Sequence, residues 1–359
     1  MKIPKILVDG HILDGRPQGT TTYIAGLYKA IAELNLAKIT IATFNESSLE
    51  KYNLLHPNIS WVKLSSKNKY MRLIYSLPYL EYTLKPDLTH YNYIAPVLKF
   101  SKRLITCHDL LFLDFPEYFS FGYRTQKKIL FYISTKTSNI VSTVSEYSAF
   151  SISKHFSIPI EQITITPNAI KSYEQVENES VDMRLSNNKY FVYVSRFEPR
   201  KNQHLLVRAF NRFCDTYGDE YKLVLVGYPD LSYPGLENEL ANSKKERVII
   251  LSDIDSTELM WLYKNAVASI YPSHAEGFGI PPIEAIAAGG RSYCSNNTAL
   301  HELTQYVNGT FDSTNIDEIE NTFHRAISEV YKDINPRLRR EVLDKFNWEK
   351  SAKIFMSYL

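Results

Sequence analysis

Short apolar runs alternate with helix-patterned segments along the whole chain, and this alternation restricts the fold more than any other feature. Lys5–Asp9, Ile39–Ala42, Leu88–Tyr91, Arg103–Cys107, Ile140–Val144 and Ile163–Ile165 each read as a strand. A second series runs through Tyr190–Val194, Lys222–Gly227, Val248–Leu251 and Val267–Tyr271. Runs this apolar suit strands covered on both faces, the situation in a parallel sheet with crossover helices. The class expected is therefore α/β. Residues 171–188 are polar and lack periodicity, so they read as a linker between two domains, 1–170 and 189–340. A chain of 359 residues is long enough for both. Two such halves would hold a cleft between them, with ligands at the carboxyl ends of strands.

The segment from Val267 to Gly290 says most about chemistry. After the strand comes His274-Ala275-Glu276-Gly277-Phe278-Gly279-Ile280-Pro281-Pro282-Ile283-Glu284. The prolines suit the first helical positions, where a missing N–H costs nothing, and Gly289-Gly290 stops the helix. Strand, glycine loop and helix N-terminus form an anion-binding geometry, because free N–H groups and the helix dipole favour negative charge. Glu276 and Glu284 would repel a phosphate but can accept hydrogen bonds from hydroxyl groups. Phosphate plus hydroxyls describes a sugar nucleotide.

This Glu-(seven residues)-Glu pattern around Gly-Phe-Gly-Ile-Pro-Pro resembles the donor-site motif of retaining glycosyltransferases of the GT-B fold, family 4. The resemblance implies two Rossmann-like domains with a central cleft, and a C-terminal helix at 341–359 returning to the first domain. It also implies that Glu276 contacts the transferred sugar, that Glu284 contacts the nucleotide ribose, and that Gly277, Phe278, Gly279 and Ile280 contact sugar and diphosphate.

Other motifs follow strands, as the fold class expects. Ser195-Arg196-Phe197-Glu198-Pro199-Arg200-Lys201-Asn202 puts three cations within six positions, a plausible diphosphate clamp. It resembles the family's Arg-(four residues)-Lys-Asn element, which assigns the diphosphate to Arg196 and Lys201 and leaves Arg200 open. Asp14–Thr21 is similar to the family's glycine loop, with Gly19 beside the donor phosphate and Thr20 or Thr21 as a helix cap. Cys107-His108-Asp109 is similar to the His-Asp motif of mannosyltransferase-like members, which puts His108 at the reaction centre. Ser145 reads as a helix cap. Asp253-x-Asp255 has the form of a divalent-metal site, yet Asp255-Ser256-Thr257-Glu258 also reads as a helix cap. With cations available for the diphosphate, no metal and no cofactor are expected.

Composition narrows the partners. Three scattered cysteines fit a reducing compartment, and Asp9 and His11 inside the first apolar run argue against a signal peptide. No stretch approaches the ~20 apolar residues of a membrane span. The net charge of +2 conceals an asymmetry: residues 1–170 carry 19 Lys/Arg against 12 Asp/Glu. A basic first half suits an anionic acceptor or membrane surface, whereas nucleic acid would call for a binding motif that is absent. Two aromatic and basic stretches, Lys67–Lys85 and Tyr118–Lys136, could lie on a bilayer.

The reading is a cytoplasmic retaining hexosyltransferase, peripheral on the inner face of the membrane. By the resemblance, it moves mannose from GDP-mannose to a lipid-linked oligosaccharide in surface-polysaccharide synthesis. UDP-glucose, UDP-galactose, dTDP-rhamnose and UDP-N-acetylhexosamine stay open as donors, because specificity rests on few contacts. A nucleotide-sugar epimerase would need a carboxylate pair that is not evident, and a non-catalytic sensor would have no need of Glu276 or the clamp.

Overall fold

The computed structural model describes residues 3–170, 185, 189–228, 232–329 and 335–359. Apart from Leu185, the linker expected at 171–188 lies outside the described residues. The chain divides into two compact units, residues 1–171 with 346–359, and residues 172–345.

The first unit is built on a seven-stranded sheet: β1 (Lys5–Asp9), β2 (Lys38–Thr43), β3 (Ile59–Lys63), β4 (Leu88–Asn92), β5 (Lys102–Thr106), β6 (Ile140–Thr143) and β7 (Ile163–Ile165). Their order is β3-β2-β1-β4-β5-β6-β7, with parallel pairing throughout. The second unit carries β8 (Lys189–Val194), β9 (Tyr221–Val226), β10 (Val248–Leu251), β11 (Ala268–Tyr271), β12 (Ser292–Ser295) and β13 (Gly309–Phe311). Their order is β10-β9-β8-β11-β12-β13, again parallel. Both sheets start in the middle, run to one edge, and return to grow the other. Each is therefore a doubly wound Rossmann arrangement with a reversal point, at β1/β4 and at β8/β11.

The long apolar runs became the central strands, for the reason the sequence gives. Phe191, Val192, Leu223, Val224 and Leu225 are all fully buried, with helices on both faces. Sequence reading missed β3, β12 and β13. Ile59–Lys63 mixes polar and apolar residues without strict alternation and, among the described residues, has only one neighbouring strand, β2. Ser292-Tyr293-Cys294-Ser295 is buried along its whole length although half its residues are serine. Polar side chains hid it from a hydrophobicity criterion.

Residues 341–359 form no single helix. Pro336–Lys345 ends the second unit, and Trp348–Met356 belongs to the first. The break lies at Phe346-Asn347, where the Asn347 side chain accepts from the Lys350 N–H and caps the new helix. That helix lies along the helix Gly19–Glu33, in which Gly26 makes room for the Trp348 ring: an added Cβ would sit 2.1 Å from its Cε2.

Candidate functional site

The two loops that leave the reversal point of the second sheet are stitched together. β8 leads into a tight turn at Pro199–Lys201, and β11 leads into the helix Ile280–Ala287. His274 N–H donates to the Arg200 carbonyl, and Arg200 Nη1 donates to the Ala275 carbonyl, each at 2.8 Å. This places Lys201 Nζ 2.5 Å from Glu276 Oε1, which also accepts from the Tyr271 hydroxyl at 2.7 Å. Glu276 Oε2 lies 3.7 Å from Arg200 Nη1. Arg200 Nη2 pairs with Glu198 at 2.9 Å, and the other Glu198 oxygen holds Arg196 Nη2, also at 2.9 Å. Five side chains thus alternate in sign: Arg196, Glu198, Arg200, Glu276, Lys201.

Burial decides how these charges behave. Lys201 and Glu276 are both buried, whereas the Arg196 side chain is half exposed. Desolvation and the Arg200 charge lower the pKa of Lys201, with Glu276 opposing them. For Glu276, burial pushes the pKa up, but Lys201 and Arg200 outweigh it and hold the carboxyl below its ordinary range. Glu276 is therefore an ionised acceptor. It is suited to gripping hydroxyls and unsuited to donating a proton. Below the pair, the Tyr193 hydroxyl donates to the Lys201 carbonyl at 2.6 Å, and its ring meets Tyr271 edge-on at 5.1 Å.

The glycine loop has the geometry an anion cradle needs. Gly279 is the helix N-cap at φ +98°, and a Cβ there would stand 2.4 Å from Leu300 Cδ2. Only glycine fits both constraints. Ile280 takes the first helical position, so Pro281 and Pro282 fall at the second and third, where N–H groups are still unpaired within the helix. Gly277 and Phe278 are buried in the loop. Gly289 N–H bonds the Ile286 carbonyl and Gly290 N–H the Ala285 carbonyl, which closes the helix as its two glycines suggest. Glu284 lies one turn into the helix and is partly exposed.

In the first unit the candidate is His108, just past the end of β5. Its Nε2 lies 3.0 Å from Asn92 Oδ1 at the end of β4, which places the ring proton on Nε2. Tyr23 meets the imidazole edge-on at 4.9 Å, and Tyr93 lies tilted at 5.3 Å. Burial pushes the His108 pKa down to about 3, so the ring is neutral. Asn92 keeps a buried amide nitrogen with no partner among the described residues, and Tyr93 beside it has a left-handed backbone at φ +61°. An orphaned donor next to a strained residue is a local cost of the kind found at ligand sites.

Two expectations need correction. Neither Thr20 nor Thr21 caps the first helix; it starts one residue earlier, at Gly19, with Gln18 at the N-cap and no side-chain cap bond. The two threonine hydroxyls are instead buried and without a partner among the described residues. Arg196 and Lys201 are not direct neighbours in the site, because Glu198 and Arg200 stand between them in the charge series. Asp255 accepts from the Thr257 and Glu258 N–H groups and Glu258 returns a bond to its N–H, so that carboxylate serves a capping box. Ser145 caps its helix by accepting from Ser148 N–H at 3.1 Å. Sequence reasoning missed Tyr271, Tyr193, Glu198 and Asn92. Tyr271 and Tyr193 lie in recognised strands and Glu198 lies within the recognised cationic segment, whereas Asn92 leaves no local signal.

Comparison with known proteins agrees with this fold. A sucrose-phosphate synthase from Thermosynechococcus elongatus superimposes with a TM-score of 0.78 at 17% identity, over 99% of this chain and 98% of that one. Anabaena Alr3699/HepE in complex with UDP and glucose gives 0.76 at 16% identity, over 99% of both chains. Residues 176–340 match the family described as glycosyl transferases group 1.

The chain has the GT-B fold.

Among curated relatives of this GT-B chain, the O-antigen chain mannosyltransferase RfbU of Salmonella typhimurium is 30% identical over 60% of the chain. The chain spans 57% of the length of RfbU. The O-antigen chain mannosyltransferase B of Escherichia coli is 26% identical over 84% of the chain and 77% of its own length.

Proposed function

We propose that this GT-B chain is a retaining hexosyltransferase that moves mannose from GDP-mannose to a lipid-linked oligosaccharide in O-antigen synthesis. The observation that carries the reading is the buried Lys201–Glu276 pair beside a glycine loop at the sheet reversal of the second unit. Departure of the nucleoside diphosphate is the demanding step. Lys201, Arg196 and the N–H groups of Gly277–Ile280 supply fixed positive ends toward the charge that develops there. The diphosphate competes with Glu276 for the Lys201 ammonium, and the carboxylate it partly releases accepts from sugar hydroxyls. Glu284 is assigned the ribose. The neutral His108 imidazole, whose Nε2 proton goes to Asn92, positions a hydroxyl by accepting at Nδ1 and takes no part in acid–base exchange at neutral pH. No enzyme carboxylate then acts as nucleophile, and the diphosphate receives the acceptor proton. The choice of mannose is supported by the His-Asp segment and by the named functions of the two relatives above.

The test is a panel of radiolabelled nucleotide sugars incubated with membrane extract or synthetic lipid-linked acceptors. Transfer from GDP-mannose with the anomeric configuration kept is expected. Transfer from a UDP- or dTDP-sugar alone would correct the donor, and interconversion of sugars without transfer would overturn the class.

A further inference from the structure

One side of the first sheet carries an aromatic and basic face that the core leaves unused. Three segments build it. The first is a helical stretch made of Lys69–Met71, a π-helical portion Arg72–Ser76, and Leu77–Leu84. The second is the loop after β4, with its tip at Val97–Phe100, and the third is the helix Phe121–Thr137. They are contiguous. Tyr82 meets Phe100 edge-on at 5.7 Å, Ala95 N–H donates to Ser134 Oγ at 3.0 Å, and Lys99 Nζ donates to the Thr137 carbonyl at 3.3 Å. Lys69 is near enough to Lys127 that, after burial, it is the next cause of the lowered pKa of that lysine.

The surface these segments present is unlike ordinary solvent-facing helix. Val97 is 85% exposed, Phe121 76% and Ile74 67%, with Tyr70, Tyr75 and Tyr79 exposed beside them. The helix Phe121–Thr137 buries only Phe131, Ser134 and Thr135 of its 17 residues. Cations lie along the exposed rings: Lys69 is 5.7 Å from the centre of Tyr70, Arg124 6.0 Å from Phe121, and Lys136 5.8 Å from Tyr132. Over residues 69–84, 97–100 and 121–137 the sequence contains one acidic residue, Glu81. It is fully buried, accepting from the Tyr91 hydroxyl at 2.7 Å and from Phe100 N–H at 2.8 Å. The one acid therefore pins the apolar tip in place and offers nothing to solvent.

Exposed apolar area of this extent marks an interaction site, and its chemistry selects the partner. A second copy would bring cations against cations. Aromatics with adjacent long cations and no acid match the headgroup layer of an anionic bilayer, where rings sit at the interface and lysines reach phosphates. We propose that this face seats the protein on an anionic membrane. Val97, Leu98 and Phe100 enter the interfacial layer, and Lys69, Arg124, Lys127 and Lys128 meet lipid phosphates. The proposal deepens the reading of a lipid-linked acceptor, since it says which surface brings the enzyme to such a substrate.

Co-sedimentation of the full chain with phosphatidylcholine vesicles, with and without phosphatidylglycerol, tests it. Binding is expected only with phosphatidylglycerol and should weaken as salt rises. Lys127→Glu with Lys128→Glu, and separately Val97→Ser with Phe100→Ser, should each lower partitioning by about tenfold or more. Lys264→Glu, an exposed site on the second unit, should leave it unchanged. Absent binding to anionic vesicles, or binding that both double variants retain, overturns the proposal. So does a wild-type dimer that these variants dissociate, which would make the face a protein interface. Calorimetry with GDP on the same samples separates the two readings: nucleotide bound without vesicles rejects the face alone, and vesicles bound without nucleotide rejects the donor site alone.

Discussion

The two units share a strand order yet present opposite chemistry at their strand ends. In the first, β1 ends at Asp9, which is fully buried and closed off by Arg72 Nη1 at 2.6 Å and His11 at 2.9 Å. Burial alone would raise the Asp9 pKa, but His11 and Arg72 bring it down to about 2. The group beyond it, His108 with Asn92 and Tyr93, is uncharged. In the second, the strand ends carry the alternating series from Arg196 to Lys201, with one more cation than anion and its outer end exposed to solvent. A fold built twice can thus carry two kinds of strand end, one with a neutral buried imidazole and one with an excess of positive charge. The fold permits both, and the residues after β4, β5, β8 and β11 decide which.

The sharpest way to break this contrast is at Glu276. Glu276→Gln keeps the size and one acceptor oxygen but removes the charge, and transfer should fall by about 100-fold or more while GDP still binds. A steady-state assay beside calorimetry reads both. A rate within a few-fold of wild type would remove Glu276 from the reaction centre.

Next in size is a stability effect that distinguishes the charged unit. Lys201 is buried against Glu276, so Lys201→Ala should affect folding as well as transfer. Removing the ammonium leaves the buried Glu276 to the Tyr271 hydroxyl and the more distant Arg200, at a cost of about 3–5 kcal/mol. Urea unfolding of Lys201→Ala should show this loss, and Lys201→Ala with Glu276→Ala should recover part of it. No recovery would mean that the two groups do not act as a pair.

Acid should separate the units in another way. His90 and His108 are buried with pKa values lowered to about 3, chiefly by desolvation. A depressed folded-state pKa contributes stability above the unfolded value near 6.5, and this is lost as pH falls toward 3. Each neutral histidine can account for several kcal/mol, since every tenfold loss of proton affinity is worth about 1.4 kcal/mol. Denaturant melts from pH 7 to pH 4 should therefore show the first unit softening, followed by Trp61 and Trp348 fluorescence in a Trp261→Phe background. A first unit equally stable at both pH values would contradict the buried neutral imidazoles. The smallest effect is expected at Asp255→Ala, which removes one helix cap. It should cost about 1 kcal/mol and leave transfer rates unchanged.

The sequence was most legible where chemistry is local. Glu276, Gly279 and the proline pair lie within one loop and the helical turn that follows it, and a strand–glycine–helix pattern has a direct geometric meaning there. The charge series was half legible. Arg196 and Lys201 stood out by spacing, but whether Glu198 and Arg200 lie between them depends on side-chain direction, which periodicity does not encode. Asn92 was not legible at all, since its meaning comes from lying beside His108 across two strands, 16 residues away. β12 was missed because its serines are buried by neighbours on both sides, a tertiary effect that overrides local hydropathy. The helix starting at Gly19 shows a smaller version of the same limit: two threonines near a helix start invite a cap, and packing places the start one residue ahead of them.

The central claim is that the second unit holds a diphosphate on Lys201 while Glu276 stays ionised beside it. Calorimetric titration of GDP and of guanosine into the wild type and a folded Lys201→Met variant tests it most directly. The account predicts that GDP binding weakens by about tenfold or more in the variant while guanosine, lacking phosphate, binds both alike. Equal GDP affinity in the two proteins would contradict it.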